Sequence, residues 1–307
     1  MSFSEIQKNL LKQVADIESI PTGAYNIRTD GKLHSRNVSA NIDIVSKKDK
    51  DGIDIIIKPF TKNERVDIPV ILTKSGLKDL VYNDFYIGEG ADVIIVAGCG
   101  ICNTGKDASE HVGIHSFHVG KNAKIKYIEK HYGEGDGNGE RILNPTTEIE
   151  ISEGGYMEME TAQIKGVDSS VRKTIAKLDK DATLIIKESI MTHGTQFADT
   201  DFYVDLYGEN SSAHVISRSI AKDNSKQRFI SLVDGNNKCS GHTECDAIIM
   251  NNGVVTAEPK INANHIEASL IHEATIGKIA GEQLIKLMTL GLTEKEAEEQ
   301  IVNGFLK

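Results

Sequence analysis

"KDATLIIKES" (residues 180–189) decides how the fold is read. A charged, turn-forming entry leads into a short run in which side chains alternate in character, the period of a strand rather than a helix. The same construction recurs in "GKNAKIKYIEK" (120–130), "SEGGYMEMETAQ" (152–163), "GENSSAHVISRS" (208–219), "ECDAIIMNNG" (244–253) and "NHIEASLI" (264–271). Most of these runs are entered through Gly, Asn or Asp. With Ala123, Tyr156, Ala182 and Ala213 as markers, the spacings are 33, 26 and 31 residues. An antiparallel sandwich gives turn signals every 8–12 residues or so. A period near 30 instead fits a solenoid whose coils each bury a face on their neighbours. The expectation is a parallel β-helix.

The ends depart from this pattern. Ile6, Leu10, Leu11, Val14 and Ile17 have helical spacing that stops before Pro21. At the other end Ile276, Ile279, Ala280, Leu284, Leu287 and Met288 are spaced for a helix, with Gly291 placed to end it. Thr293 and Glu296 form a capping-box pattern for a second helix, with Ala297, Ile301, Val302 and Phe305 on its apolar side. These signals divide the chain into a helical segment and linker (1–34), a β core (35–271) and a C-terminal helical segment (272–307).

Hydrophobic content of 39%, charged content of 26% and a mean hydropathy of -0.27 describe a globular chain. No apolar run approaches the ~20 residues needed to cross a bilayer as a helix. The opening "MSFSEIQKNLLKQVADIESI" lacks the uninterrupted apolar core of a signal peptide, so the expected location is the cytoplasm. A net charge of -10 with dispersed basic residues disfavours a nucleic-acid partner. Four cysteines in 307 residues are too few for a disulfide framework.

Several motifs invite chemistry. "GEGDGNGE" (133–140) lacks the Gly-Lys-Ser/Thr of a phosphate loop and reads as an acidic surface loop. In "HVGIHSFH" (111–118), His111 and His115 would share one face of a strand, with His118 on the other. Cys99 and Cys102 in "CGIC" have redox or half-zinc-site spacing but follow an apolar strand with no helix, which favours a structural role. "KCSGHTECDAIIM" (238–250) sets Cys239 and His242 ahead of Cys245-Asp246, and a thiolate is the form that binds iron. "LIHEAT" (270–275) sets His272-Glu273 at an expected strand-to-helix junction, where Thr275 could cap the helix and Glu273 could favour its positive end.

The stretch from "HTECDAIIM" to "LIHEATIGKIAGEQLIKLMTLGLTEKEAEEQIVNGF" resembles the C-terminal part of the SufB/SufD family of iron–sulfur cluster assembly scaffolds. The matching blocks are Cys245-Asp246, His272-Glu273-Ala274-Thr275, Lys278-Ile279, Glu282-Gln283-Leu284 and Gly304-Phe305. The resemblance implies a right-handed parallel β-helix with helical flanks and no enzymatic turnover. It also implies C-terminal helices that dock on a SufC-type ABC ATPase. Cys245, His272 and Glu273 become the implied ligands of a transient iron–sulfur cluster, with Cys239 and His242 as further donors in this chain. Ile271 stands where the SufB block carries another Glu, and Ala274-Thr275-Ile276-Gly277 is similar to SufD, whose block has His-Gly in place of His272-Glu273, so the chain looks intermediate between the two. This implies a chain that pairs with itself as a homodimer through the β-helix and hands clusters to apo iron–sulfur proteins. Two other classes fit parts of the pattern: a zinc protein using Cys99, Cys102, Cys239 and Cys245, and a β-helix enzyme acting on polysaccharide.

Overall fold

The computed structural model describes residues 3–306. After helix α1 (Glu5–Ala15), β1 (Ala24–Thr29) and β2 (Lys32–Asn37) form one antiparallel pair, and β3 (Ile42–Ser46) and β4 (Gly52–Ile57) another. The coils that follow contain β5 (Lys62–Leu72), β6 (Lys78–Ile87), β7 (Asp92–Cys102), β8 (Ser109–Val119), β9 (Lys124–Glu134), β10 (Arg141–Leu143), β11 (Thr146–Ile151) and β12 (Tyr156–Lys165). They continue as β13 (Ser169–Leu178), β14 (Thr183–Thr192), β15 (Phe197–Leu206), β16 (Ser212–Ala221), β17 (Lys226–Gly235), β18 (Cys239–Ile249), β19 (Val254–Ala263) and β20 (Ala268–Gly277). Helices α2 (Gly281–Thr289) and α3 (Glu294–Phe305) close the chain.

Successive strands of the coils go to alternate sheets, except that β10 and β11 both lie between β8 and β13 in the second sheet. One sheet runs β2-β1-β5-β7-β9-β12-β14-β16-β18-β20, and the other runs from β19 back to β3. From β5 onward every pairing is parallel, the expected parallel β-helix. The markers of the sequence repeat fall at or within one residue of a single strand position: Lys124, Tyr156, Thr183, Ser212, Ser240 and Ser269 are register partners in turn, with Ala123 and Ala182 one residue before that position and Ala213 one after it. Even-numbered positions of β14, such as Leu184 and Ile186, face inward and odd-numbered ones face outward. The aliphatic interior between the two sheets is the core.

The turn residues at the strand entries have a backbone cause. Asn122, Asp181, Asn210, Asp223 and Asn251 all have φ between 53° and 63°, the left-handed corner that Asn and Asp tolerate better than other non-glycine residues. Corners also bond to each other between coils, Asn210 Nδ2 donating to Asp181 Oδ1 (3.1 Å) and Asn251 Nδ2 to Asp223 Oδ1 (3.0 Å).

Helix α1 starts at a Ser4–Gln7 capping box and lays Leu10, Leu11 and Val14 over the outer face of β7. Gly98 permits that approach, because a Cβ there would lie 2.3 Å from the Val14 carbonyl oxygen.

Two segment boundaries differ from the sequence reading. Residues 24–37 are strands of the first sheet rather than linker, because β1 pairs in parallel with β5, Ala24 opposite Val66. At the far end β20 runs on to Gly277, so His272 and Glu273 lie inside a strand and not at a helix junction. Ten consecutive register partners on β18 hold that strand, and they override the helical spacing of Ile276 and Ile279. Thr275 accordingly caps nothing; the N-cap of α2 is Ala280, without a side-chain cap bond. Gly291 does follow the helix end, at φ 97°, and the Thr293–Glu296 capping box is formed. Among the described residues no helix is long and apolar enough to cross a membrane.

Candidate functional site

The strand alternation sorts the residues singled out in the sequence. On β18, Cys239, Thr243 and Cys245 face the interior, whereas His242, Glu244 and Asp246 face out. Register carries these faces onto β20: His272 is opposite Thr243 and Ala274 opposite Cys245, so both lie on the inward surface. Glu273 is opposite Glu244 and therefore outside. Cys245 and His272 are thus inward-facing neighbours on adjacent strands, while Glu273 occupies the other side of the sheet.

Cys239 belongs to the same inward row but stands six residues from Cys245 on one continuous strand, roughly 20 Å at strand rise. One chain therefore cannot offer both thiols to a single cluster in this conformation. Cys99 and Cys102 lie on β7 with opposite orientations, Cys99 inward and Cys102 packed with Leu10 and Leu11 beneath α1. β7 is five strand spacings from β18, about 24 Å. This geometry excludes a four-cysteine zinc site within the chain. His111 and His115 share the inward face of β8 and His118 is exposed, as the alternation required.

The surroundings of Cys245 contain groups that the sequence reading missed. One inward row crosses the first sheet as Glu129, Thr161, Glu188, Ser217, Cys245 and Ala274, each the register partner of the next. Glu129 and Glu188 are both fully buried and flank Arg172, which reaches across from β13. Ser217 Oγ (2.9 Å) and Thr200 Oγ1 (3.2 Å) donate to Glu188. Arg172 also donates to His131 Nδ1 at 3.3 Å. Burial opposes ionisation of Glu129, yet Arg172 and His131 hold it well below the usual carboxylate range, whereas burial raises Glu188. The signal was phase: Glu188 is in step with Leu184 and Ile186, and Arg172 with Thr174 and Ala176. A charge in phase with core residues has to be buried with a partner.

Cys245 is 2% exposed. Burial, reinforced by the Glu188 and Asp246 carboxylates, pushes its thiol up to about 12. At neutral pH it is therefore a protonated thiol, and a bound cation would have to displace that proton. The inner surface ends here, because β19 and β20 form the last coil and leave most of their side chains half-buried or exposed. Ile261, Ile271 and Ile276 are all at least 40% exposed, on strands that end both sheets.

Comparison with known proteins bears on this arrangement. The family model for the SUF system FeS cluster assembly SufBD core domain matches residues 82–305. An iron–sulfur cluster assembly SufBD family protein of Archaeoglobus fulgidus is 33% identical over 247 residues, covering 79% of this chain and 65% of that relative. The chain thus spans just under two thirds of the Archaeoglobus protein. A SufBD family protein of Methanocaldococcus jannaschii is 30% identical over 274 residues, covering 86% of this chain and 84% of the relative. The iron–sulfur cluster assembly protein SufB of Bacillus subtilis is 38% identical over 104 residues, 32% of this chain and 22% of its own length.

Proposed function

The chain belongs to the SufBD family of the SUF system for iron–sulfur cluster assembly, and on that premise we propose that it is the scaffold on which a cluster is built and from which it is released. The observation that carries this reading is the placement of Cys245 and His272 on one inward surface at the open last coil. In this reading Cys245 and His272 supply the inner ligands and Glu273 joins them around the edge strand β20. Cys239 is too distant to serve the same cluster within one chain. A set with one thiolate holds iron less tightly than four thiolates do, which suits a cluster meant for transfer to apo proteins. The cluster is cargo, and the proposal assigns the chain no catalytic turnover. Because Cys245 is covered, loading requires β20 to move away from β18 or to be reshaped by a partner.

The exposed last coil supports pairing with a second copy, since uncovered terminal strands offer free backbone groups. Two copies joined there would bring two Cys245–His272 pairs near one axis. Helix α2 buries none of its side chains and presents Ile285 and Met288 to solvent. That apolar face is assigned to a SufC-type ABC ATPase, with assembly in the cytoplasm. Anaerobic reconstitution with iron and sulfide, read by absorbance and Mössbauer spectra, tests the scaffold. A Cys245→Ala protein with unchanged stoichiometry and spectrum would overturn the site.

A further inference from the structure

On the outside of the same sheet, we propose a second and separate site, which binds a single divalent transition-metal ion through His214, His242 and Glu244. The three side chains project from β16 and β18, with His214 and His242 as register partners. Their ligand atoms all lie within 4.8 Å of one another. His214 Nε2 is 2.7 Å from Glu244 Oε1, and His242 Nδ1 is 3.5 Å from the same oxygen. The imidazoles stack at 4.9 Å and 3°, so both rings approach the carboxylate from one side. Small side-chain rotations suffice to bring these donors to the roughly 2.1 Å bond lengths of zinc or a similar ion.

A second observation points to a ligand. The Nε2 atom of His242 is shielded from solvent and has no hydrogen-bond partner. The nearest carboxylate oxygen across the strand, on Glu273, lies 3.8 Å away, beyond hydrogen-bond range. A buried ring nitrogen without a partner is costly, and an arrangement in which the ring turns onto a bound ion removes that cost. A groove of about 300 Å³ runs beside the rings, bordered by Ser212, Ser240 and Ser269 and by the apolar Ile185 and Ile271.

Two imidazoles and a carboxylate suit the borderline ions, zinc and ferrous iron among them, and not magnesium or calcium. The site does not depend on the cluster reading, because it has no thiolate and lies across the sheet from Cys245.

Cobalt(II) titration of the 307-residue chain under anaerobic conditions tests the proposal, with the Cys245→Ala protein titrated alongside. Expected is one ion per chain in both proteins, without a sulfur-to-cobalt charge-transfer band, displaced by zinc and not by magnesium. His214→Ala and His242→Ala should each weaken binding at least tenfold while circular dichroism shows an intact β fold. Glu244→Gln, which keeps the shape, should weaken it in the same direction. Binding unchanged in the histidine variants, binding lost with Cys245→Ala, or no binding by the parent chain at millimolar cobalt would each overturn the site.

Discussion

Cys245 and His272 point to the same side of the sheet from neighbouring strands, although Glu273, the next residue, points to the other. This ranks the three proposed cluster ligands. After anaerobic reconstitution, Cys245→Ala should bind little iron and sulfide, and His272→Ala should lose most of its cluster. Glu273→Gln should lose less, because it reaches the site only around the edge of β20. Iron and acid-labile sulfide per chain provide the measurement. Equal losses at 272 and 273 would show that facing does not govern the site.

The Cys245 thiol should be slow to react with alkylating reagents in the folded protein at neutral pH. Its pKa is pushed to about 12, first by burial and then by Glu188 and Asp246, which leaves a thiolate fraction of order 10⁻⁵ at pH 7. All four cysteines are free and buried, so denaturant should expose four reactive thiols where the native state offers few. Mass mapping after brief alkylation checks this. Rapid native labelling of Cys245 would mean that β20 opens readily.

Much of this arrangement is legible in the sequence, and the remainder fails for identifiable reasons. The β-helix follows from the near-repeat of Ala123, Tyr156, Ala182 and Ala213, each within one residue of a shared strand position, because the same corner and strand chemistry returns in each coil. The strand through His272–Gly277 is hidden, since its helical spacing is a local signal and its ladder to β18 is not. Which face Glu273 takes depends on that ladder. The Glu129–Arg172–Glu188 group is scattered over sixty residues and is assembled only when β9 and β14, on either side of β12, face β13 of the other sheet. The His214–His242 pair is similar: its members stand one coil apart and meet through register.

Arg172→Met should destabilise the chain by about 3–5 kcal/mol, since it strands the buried charge of Glu129. Adding Glu129→Gln should recover part of the loss by removing that charge. Urea midpoints of the two single variants and the double variant form the cycle that measures the coupling. An unfolding free energy for Arg172→Met within about 0.5 kcal/mol of the parent's would show that water reaches this interior.

Removing residues 281–307 should leave the coils folded and abolish capture of a SufC-type ATPase. Helix α2 buries no side chain, and α3 buries Ala297 alone. The end of the chain is held to the coils by the Ser189 hydroxyl donating to the Leu306 carbonyl (3.0 Å). Co-purification and thermal melts separate partner binding from folding. A truncated chain that still retains the ATPase would move the docking surface onto the coils.

Acid should weaken the fold in two steps set by His115 and Asp79. Asn83 Nδ2 can only donate, so His115 Nε2 accepts from it (3.3 Å), and Nδ1–H faces Tyr127 Oη at 2.8 Å. Burial, aided by His111, His131 and Arg172 and opposed by Glu129, lowers His115 to about 4. A lowered folded pKa means that its contribution is complete above the unfolded value near 6.5 and is lost as pH falls toward 4. The loss is about 3 kcal/mol in total. Asp79 adds the second step. Despite burial, His111 and Arg28 hold it to about 2, so its contribution of about 2 kcal/mol persists above pH 3.8 and disappears as pH falls toward 2. Urea midpoints between pH 7 and 4 should therefore fall steadily in the parent chain. The slope should be shallower in His115→Gln, which keeps a neutral hydrogen-bonding side chain at the position. Parallel slopes in the two proteins would show that His115 takes up its proton in the folded state as easily as in the unfolded one.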